Sequence, residues 1–423
     1  MDIRELQEKA KLERQSGNHE EAAKLYKQAY EQTSDKWDGW GLALCYNKLK
    51  NYKEALAISK EVYDSAPDFE YVKSTLAQAL YLGKIKKISP DFSVEDIKKN
   101  IDTVILLEEE RRFWTGPALL EGMSHFADNN EWETVYNLSK LKDSSVFSVE
   151  PAKFKNGKKG PSDREKWYLK AAKACLKLEK WDECEEICKQ GLNDFPNEVW
   201  LKRDHALAVG YGGDVVQAID SLNSLLKFQK DWFIYNDIAS MYTLDSKLDE
   251  AKNSLILGCL QSLRIPNPEY RWEMYYNLGS LLVQTGDIEH GKLHFQLAYA
   301  LRNEAAWKIP DILEEIMSKY EVETQFEKSA KQFTKELSSY WENQRPDPYE
   351  GKPSFHGTVK TILGNGKSGF ISGEEKDYYF NFNEFKGNRS LIEVRLPVTF
   401  YIEKSFDKSK GVESEIAVNI IEK

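Results

Sequence analysis

The sequence predicts a mostly α-helical protein in which a solenoid of paired helices precedes a small C-terminal β-barrel of five strands. Three observations support this prediction. Within residues 197–231, apolar residues recur at three- and four-residue steps on either side of Gly212-Gly213-Asp214, as in two helices joined by a turn. Similar pairs recur at nearly constant spacing, and each pair needs neighbours to cover its apolar face. From Phe355 onward the apolar period changes to the alternation typical of strands.

A small residue near the start of each second helix marks the repeat. Its positions are Ala22, Ala55, Cys184, Ala218, Ala251 and Gly291. The intervals are 33 (22 to 55), 34 (184 to 218), 33 (218 to 251) and 40 residues (251 to 291). Together with first-helix segments such as Trp40–Tyr46, this spacing resembles the tetratricopeptide repeat (TPR) family, whose period is about 34 residues. The resemblance is clear in residues 1–67 and 162–302 and weak in residues 69–145.

These patterns divide the chain into four parts. We expect N-terminal TPR-like repeats in residues 1–148, degenerate after about residue 68, and further repeats with a capping helix in residues 162–343. Residues 344–354, which are rich in Pro and Gly, are the predicted linker. Residues 355–423 are the predicted barrel.

Two further predictions concern side chains that face the helical core. In the repeat at 197–231, we expect Trp200, Ala206 and Val209 to point inward. Residues 311–341 are predicted to form one long polar helix that covers the last apolar face of the solenoid. Its inward-facing residues would be Ile312, Ile316, Tyr320, Phe326, Ala330, Phe333 and Leu337.

The resemblance to TPR proteins implies that the first helices of the pairs line a concave groove that binds a peptide or a partner protein. The groove-facing residues would be Lys11, Arg14, Trp40, Asn47, Lys48, Lys173, Lys177, Arg203, Tyr211, Asn236, Tyr276 and Asn277. This mixture of basic, amide and aromatic side chains favours an acidic or polar partner segment. The alternative for each residue is an ordinary solvated surface.

A basic segment at residues 149–161 interrupts the helical pattern. Gly157, Gly160 and Pro161 indicate a loop. The basic residues in and beside it are Lys153, Lys155, Lys158, Lys159, Arg164 and Lys166. Such a loop could contact phosphate. Because acidic residues at 163 and 165 lie beside it, a solvated hinge is the alternative.

Motifs in the C-terminal segment resemble the cold-shock domain, an OB-fold that binds single-stranded RNA or DNA. These motifs are Gly357-Thr-Val359-Lys360, Gly369-Phe370-Ile371, the segment Asp377–Phe382, and Ala417-Val-Asn419-Ile420. The resemblance covers residues 355–423 and implies a nucleic-acid-binding face. The candidate residues are Lys360, Lys367, Phe370, Tyr379, Asn381, Phe382 and Arg389.

The same face departs from the cold-shock pattern at several positions. Thr361 stands where the family has a stacking Trp, and Ser368, Asn381 and Asn388 replace two Phe and one His. Each lost stacking partner removes ~1–3 kcal/mol of binding. Basic and acidic residues balance in this segment, so its net charge is zero. The barrel therefore retains a reduced nucleic-acid surface, serves protein contacts, or is a structural appendage.

Composition limits the remaining functions. The 423-residue chain has a net charge of -10 and a pI of about 5.4, which argues against a protein that coats nucleic acid broadly. No segment approaches the ~18 apolar residues that span a bilayer, and the N-terminus lacks the apolar core of a signal peptide. Five cysteines without a dense spacing pattern suit a reducing compartment. We therefore expect a cytoplasmic protein that does not bind membranes.

No arrangement of residues predicts catalysis, a metal site or a cofactor. Cys175, Cys184 and Cys188 occupy positions where the repeat needs small core residues. His290 and His294 are four residues apart, but the adjacent Glu and the third ligand of a zinc motif are missing. The sequence thus predicts a non-enzymatic protein.

Two functions are compatible with these observations. In the first, the chain is an adaptor whose solenoid holds a protein partner and whose barrel binds single-stranded RNA or DNA. In the second, it is a protein-only scaffold or regulator, for instance in a bacterial stress or defence complex. The surviving aromatic residues favour the first, whereas the missing Trp and the neutral barrel favour the second. The sequence specifies neither the partner nor the oligomeric state.

Overall fold

The computed structural model describes residues 2–89, 91–108, 113–154, 156–266, 268–325, 327–407 and 412–423. The chain forms two compact units, Met1–Trp341 and Glu342–Lys423. Paired helices build the first unit, and a closed β-barrel builds most of the second. The predicted fold class, a mostly helical TPR-like solenoid with a C-terminal five-stranded barrel, is confirmed.

The N-terminal half of the solenoid contains eight α-helices in its described residues. They are α1 (Ile3–Gln15), α2 (His19–Thr33), α3 (Lys36–Lys48), α4 (Tyr52–Ser65), α5 (Glu70–Leu80), α6 (Val94–Leu107), α7 (Thr115–Asp128) and α8 (Trp132–Lys140). The described part of the poorly patterned residues 69–145 is thus mainly helical, and its buried side chains share one core with the three helices that follow.

A short β-hairpin, β1 (Pro151–Lys153) and β2 (Lys159–Ser162), separates the two halves of the solenoid. The helices after it are α9 (Asp163–Lys177), α10 (Trp181–Asp194), α11 (Val199–Tyr211), α12 (Val215–Leu226), α13 (Trp232–Leu244), α14 (Leu248–Ser262), α15 (Trp272–Gln284), α16 (Ile288–Glu304), α17 (Asp311–Lys319) and α18 (Ala330–Asn343). The basic segment predicted to be a loop is therefore partly a hairpin.

The small residue that marks the repeat is the fourth residue of the second helix in all six pairs, and it is always buried. Gly291 shows why it must be small. A Cβ atom added there would lie 2.4 Å from Cγ1 of Val283 and 3.0 Å from the carbonyl oxygen of Gly279. The backbones of α15 and α16 therefore meet directly, and a larger side chain would force them apart.

The first helices of successive pairs also contact one another, in the series α1, α3, α5 and in the series α7, α9, α11, α13, α15. These helices form one layer, whose exposed side we call the first-helix face. Residues one repeat apart in the sequence therefore become neighbours on this face.

The prediction that Trp200 points inward is wrong, although Ala206 and Val209 are buried as expected. The Trp200 side chain is 46% exposed, and its ring stacks on Phe233 with 4.7 Å between centroids. Each of these aromatic residues is the second residue of its first helix. The two rings consequently pack on each other across adjacent repeats rather than into the core.

The single long helix predicted at 311–341 is also wrong, because α17 and α18 are separate helices. Glu321 has a φ of 52°, and the amide of Val322 donates to the carbonyl of Met317 at 2.8 Å. This is the hydrogen bond of a Schellman ending, and the buried Val322 side chain supplies its apolar contact. Ile312 is exposed, whereas Ala330, Phe333 and Leu337 are buried; Phe326 lies outside the described residues.

The C-terminal unit is a closed barrel in which the strand order is β3-β4-β5-β7-β6. The strands are β3 (Phe355–Ile362), β4 (Ser368–Ser372), β5 (Asp377–Asn381), β6 (Pro397–Asp407) and β7 (Val412–Glu422). Only the β5–β7 pair is parallel among the described strands. Inward residues such as Ile371, Phe380 and Phe400 form its core, as the alternating pattern predicts.

Among the described residues, none of the helices is both long enough and apolar enough to cross a bilayer.

A buried histidine joins the last helix of the solenoid to α16. His294 Nδ1 lies 2.6 Å from the carbonyl oxygen of His290, so this nitrogen carries the proton and donates it. The unprotonated Nε2 then accepts a hydrogen bond from the Trp341 indole at 2.8 Å. Trp341 is fully buried and stacks on Tyr275. Burial lowers the pKa of His294 to about 4.

We expect acid to weaken this attachment, because protonated His294 cannot accept from Trp341. The unfolded chain takes up the histidine proton near pH 6.5 and the folded chain only near pH 4. Stability is therefore complete above pH ~6.5 and falls by ~3 kcal/mol as the pH drops towards 4. Urea unfolding, followed by circular dichroism between pH 7.5 and 4.5, should show this slope. His294→Gln should be less stable at pH 7.5 but have a flatter pH profile; an unchanged profile would contradict the assignment.

Candidate functional site

Three of the predicted groove residues, Lys11, Arg14 and Trp40, line one cleft at the N-terminal end of the first-helix face. Its volume is about 560 Å³. The other lining residues are Gln7, Tyr26, Asp35, Trp37, Asp38 and Tyr71. Residues from α1, α2, α3 and α5 thus converge on this site, which we call the N-terminal cleft.

One wall of the N-terminal cleft is aromatic. Ring centroids lie 5.3 Å apart for Trp37 and Tyr71 and 5.4 Å apart for Trp40 and Tyr71. Trp37 and Tyr71 are exposed, whereas the Trp40 indole donates to Thr75 Oγ1 at 3.0 Å. The Arg14 guanidinium lies 4.9 Å from the Trp40 ring centroid. These contacts order the wall before any ligand arrives.

Charges of both signs border this wall. Asp38 is buried and accepts from Gln7 Nε2 at 2.7 Å and from Thr33 Oγ1 at 3.2 Å. Burial raises the pKa of Asp38. Lys11 and Arg14 supply positive charge on the same cleft. The cleft can therefore hold an apolar side chain together with polar groups of either sign.

Two other predicted groove residues from this region lie outside the cleft. Asn47 is buried between α3 and α5, where its amide donates to the carbonyl of Thr75 at 3.0 Å. It holds two first helices together. Lys48 is the exposed last residue of α3.

The predicted residues Lys173, Lys177 and Arg203 lie near two buried carboxylates. Arg203 donates from Nε and Nη2 to the two oxygens of Asp237, at 2.5 and 2.7 Å. Its Nη1 donates to Asp204 at 3.1 Å. The Arg203 side chain is only 13% exposed. Its charge is therefore matched inside the protein and is not available to an acidic ligand.

Burial governs the titration of this ionic cluster. It raises the pKa of both Asp204 and Asp237, and the charges of Arg203 and Lys173 oppose that rise. Burial lowers the pKa of Lys173, which Asp204 counteracts. Lys177 is exposed at the end of α9. In the middle of the first-helix face, the buried charges are therefore matched within the protein, and Lys177 is the exposed cation of this group.

The remaining predicted groove residues lie nearer the C-terminal end of this face. Tyr211 and Asn277 line a cleft of about 280 Å³ with Ser240 and Gln284. Tyr211 stacks on Trp181 at 4.9 Å, and the Asn277 amide donates to Asn236 Oδ1 at 2.9 Å. Tyr276 is half-buried against Trp272 and Phe295.

On the barrel, two predicted nucleic-acid residues are direct cross-strand neighbours. Phe370 of β4 pairs with Tyr379 of β5 on one side and with Thr361 of β3 on the other. The Phe370 and Tyr379 ring centroids are 5.8 Å apart. Tyr379 is 37% exposed, while its neighbours Tyr378 and Phe380 face the core. Thr361, Phe370 and Tyr379 therefore form an outward row across three strands, which we call the barrel row.

The other predicted barrel residues have different surroundings. Lys360 occupies a bulge of β3, and its ammonium is 2.5 Å from an Asp377 carboxylate oxygen. Asn381 Oδ1 accepts from the amide of Asn383, and the half-buried Phe382 ring stacks on Phe380. Lys367 and Arg389 are exposed. The barrel row thus has two exposed or half-exposed rings, while Phe382 supports the core.

Sequence reasoning missed the buried partners Asp204 and Asp237. Asp237 follows Arg203 by 34 residues, one repeat, so the repeat period itself was the available signal. It also missed Trp37 and Tyr71, whose exposure depends on how α3 and α5 pack.

Among the described residues, no group of three His, Cys, Asp or Glu side chains is arranged to hold a metal ion. Both ring nitrogens of His294 are already hydrogen-bonded. Cys175, Cys184 and Cys188 are buried, and burial raises the pKa of Cys175 to about 12. These thiols therefore pack as small apolar groups.

Removing the guanidinium from the ionic cluster should be strongly destabilising. Arg203→Leu would leave Asp237 without its main counter-ion and Asp204 without one of its two, at a cost of ~3–5 kcal/mol in the free energy of unfolding. Adding Asp237→Asn should recover much of this loss, because it removes the uncompensated charge. Urea midpoints at pH 7.5 would measure both effects.

An exposed ion pair provides the matched control. Arg345 makes a bidentate contact with Glu342, but both side chains are more than half exposed. Arg345→Leu should cost less than ~1 kcal/mol. Equal losses in the two Arg variants would contradict the role assigned to the buried cluster.

Comparisons with known proteins bear on the solenoid. Residues 13–79 and residues 273–304 each match a family model described as tetratricopeptide repeat. The comparison with curated proteins found no match. Among solved structures, the chain is similar to a tetratricopeptide repeat protein from Parabacteroides merdae, at 14% identity and a TM-score of 0.33, covering 75% of this chain and 98% of that one.

Two other solved structures are similar to this chain. The human IFIT1 dimer with m7Gppp-AAAA is 14% identical, with a TM-score of 0.38, 75% of this chain covered and 81% of that one. MamA AMB-1 is 16% identical, with a TM-score of 0.30, 44% of this chain covered and 98% of that one. The family-model matches place tetratricopeptide repeats near both ends of the solenoid, and such repeats indicate protein–protein interaction.

Proposed function

We propose that this protein is a non-enzymatic cytoplasmic adaptor. Its solenoid binds a partner protein or peptide on the first-helix face, and its barrel binds single-stranded RNA or DNA. The barrel row carries the nucleic-acid half of the proposal, because Phe370 and Tyr379 present adjacent rings on the outside of a sheet. Every base has a π-face that can stack on such rings, whatever its sequence.

The row also sets the strength of binding that we expect. Two stacked bases contribute ~1–3 kcal/mol each. The exposed Lys367 and Arg389 are available for phosphates, whereas the Lys360 charge is balanced by Asp377. A barrel of zero net charge attracts nucleic acid little over long distances. We therefore expect dissociation constants on the order of 1–100 μM at low salt.

The N-terminal cleft is the proposed contact for the protein partner. Its volume of about 560 Å³ is sufficient for one or two side chains of a bound segment. Ordered Trp and Arg side chains of this kind are typical anchors in protein interfaces. Because the Arg203 charge is matched inside the protein, the partner segment would be recognised through its apolar and polar groups more than through acidic charge.

All five cysteines, each within the described residues, are buried and unbridged. Thiols are kept in this state in a reducing compartment, which supports the proposed cytoplasmic location.

A second candidate is a protein-only scaffold, and one observation favours it. Thr361 leaves the barrel row one ring short, and the nearest cation, Lys360, is held by Asp377. In that case Phe370 and Tyr379 would contact an apolar surface of another protein.

Fluorescence anisotropy with labelled single-stranded RNA and DNA tests the first candidate on the full chain. Phe370→Ala and Tyr379→Ala should each weaken binding about fivefold or more, since each removes a stacking ring worth ~1 kcal/mol or more. Phe355→Ala is the control, because Phe355 is also 37% exposed on the barrel but lies outside the row. Absence of binding by the wild-type chain at low salt would refute the nucleic-acid half and leave the protein-only scaffold.

Restoring a ring at position 361 should strengthen binding. Thr361 is exposed and directly opposite Phe370, so Thr361→Trp would extend the row to three rings. We expect a gain of about fivefold or more in affinity for single strands. Ile421→Trp, which places the same ring at an exposed position of β7, should give a smaller gain. Equal gains from both variants would show that the row has no special role.

A further inference from the structure

The hairpin between α8 and α9 is fixed at its base and open at its tip. Pro151 pairs with Ser162, whose hydroxyl accepts from the Glu165 amide at the start of α9. At the other end, the Phe154 amide donates to the carbonyl of Lys158, and its carbonyl accepts from the amide of Gly157. Gly157 has a φ of +77°, which closes the turn. Lys155 lies outside the described residues.

The charge of this hairpin is entirely positive. Residues 151–162 contain four lysines and no acidic residue, although the whole chain has a net charge of -10. Of the six basic residues near the hairpin, Arg164 pairs with Asp194 and Lys166 with Asp163. Within the part of the chain that the structure describes, Lys153, Lys158 and Lys159 have no carboxylate partner.

Two of these lysines face each other across the hairpin. Lys153 of β1 pairs directly with Lys159 of β2. Like charges at opposed positions destabilise a pair of strands. A polyanionic ligand would offset this repulsion, because its phosphates would attract both ammonium groups.

Phe154 lies on the other face of the hairpin from the Lys153–Lys159 pair, the face that it shares with Ala152 and Gly160. Its ring lies over Gly160, where an added Cβ atom would be 2.7 Å from Cε2 and 2.9 Å from Cζ of Phe154. The missing side chain of Gly160 thus lets the ring rest against the hairpin. The Phe154 side chain is still 57% exposed. One side of the ring is supported, and enough of it is open for a base.

We propose that the hairpin is a second contact for single-stranded nucleic acid, in which Phe154 stacks on a base at one face of the two-stranded ribbon, while Lys158 at the turn and Lys153 and Lys159 on the opposite face hold the flanking phosphates. Base stacking on aromatic rings combined with basic side chains along the backbone is how proteins bind single strands without sequence preference. The ligand is thereby defined by its chemistry, a flexible polyphosphate chain with exposed bases.

The same features fit other anionic partners less well. A membrane surface would need a larger apolar area than one ring beside Asn156 and Gly157 at the turn. An acidic peptide would satisfy the lysines but offers no base for the supported ring.

All the residues of this proposed site belong to the solenoid. The proposal therefore does not depend on whether the barrel row binds nucleic acid.

The test uses the full chain in the Phe370→Ala/Tyr379→Ala background, which removes the barrel row. Anisotropy with a labelled oligouridylate would be measured over a range of salt concentrations. Lys153→Ala/Lys159→Ala should reduce the slope of log K against log salt by about 1.4, since each phosphate contact with a single strand contributes ~0.7. Phe154→Ala should weaken binding about fivefold or more at fixed salt.

Gly160→Ala is a sharper variant, because it keeps every charge and every ring. Its added methyl group would displace the Phe154 ring from its support, so affinity should fall towards that of Phe154→Ala.

The folding of the double lysine variant can be checked separately. Because the Lys153–Lys159 repulsion is removed, this variant should unfold at the same temperature as its parent or higher. This measurement separates loss of binding from loss of folding.

A loop elsewhere in the solenoid provides a matched control. Phe228 is 88% exposed and lies between Lys227 and Lys230 in the loop after α12. Lys227→Ala/Lys230→Ala and Phe228→Ala remove the same groups without touching the hairpin, and they should leave the binding and its salt slope unchanged.

Several outcomes would overturn the proposal. One is equal loss in the hairpin and control variants, which would show a general effect of charge. Another is binding that Phe154→Ala does not weaken and that polyglutamate displaces as readily as RNA, which indicates an acidic protein partner. Binding to phosphatidylserine vesicles without binding to RNA would indicate a membrane.

One further outcome separates the two sites. If RNA binding is lost in the hairpin variants but not in the barrel variants, the barrel row is refuted while the hairpin is supported.

Discussion

The solenoid depends on the close approach of the two helices within each pair. Gly279 and Gly291 bring the backbones of α15 and α16 into contact, and Gly210 of α11 makes room for the side chains of Ala218 in α12 and Met241 in α13. A methyl group at either kind of position would meet atoms nearer than 3 Å. The small marker residue is buried at the same position of the second helix in six pairs, so these pairs pack in the same way. The first helices of successive pairs contact one another, which is why residues one repeat apart meet.

These contacts between adjacent repeats determine which side chains of the first-helix face remain available to a ligand. Trp200 stacks on Phe233, and Arg203 binds Asp237, each pair being formed between adjacent repeats. The guanidinium also lies 5.7 Å from both ring centroids. The Arg203–Asp237 contact withdraws charged groups that an isolated helix would show to a ligand. The aromatic groups stay accessible, because Trp200, like Trp37 and Tyr71 of the N-terminal cleft, keeps nearly half of its side chain exposed.

Much of the fold could be predicted from the sequence because it follows from local periodicity. The small-residue interval located the second helices, and alternation located the five strands. The failures arose where a distant contact or an unusual backbone decides the outcome. Trp200 is exposed because of a partner 33 residues away (200 to 233), and α17 ends at a left-handed Glu321, a residue type that does not mark a helix end.

The candidate sites were predictable to different degrees for the same reason. Phe370 and Tyr379 could be chosen from sequence because the resemblance to cold-shock motifs implies that they lie on a binding face, and both are outward-facing in the barrel. The bulge that carries Lys360 to Asp377, and the burial of Asn47 against Thr75, depend on strand and helix pairing. The hairpin at 151–162 is not predicted by the sequence, because its strands have only three and four residues. The pairing of Lys153 with Lys159 cannot be predicted without the register of these two strands.

Net charge is a weak guide to where this chain can meet a polyanion. At physiological salt, charges on exposed groups act over a Debye length of ~8 Å, so distant carboxylates hardly affect a lysine at the hairpin. The overall charge of -10 opposes approach of a nucleic acid mainly at low salt and long range. Contact is then decided by the groups within that distance, and at the hairpin these include unpaired lysines and one supported ring. An acidic protein can therefore hold a single strand at a cationic site, provided that short-range stacking and phosphate contacts supply the affinity that long-range attraction does not.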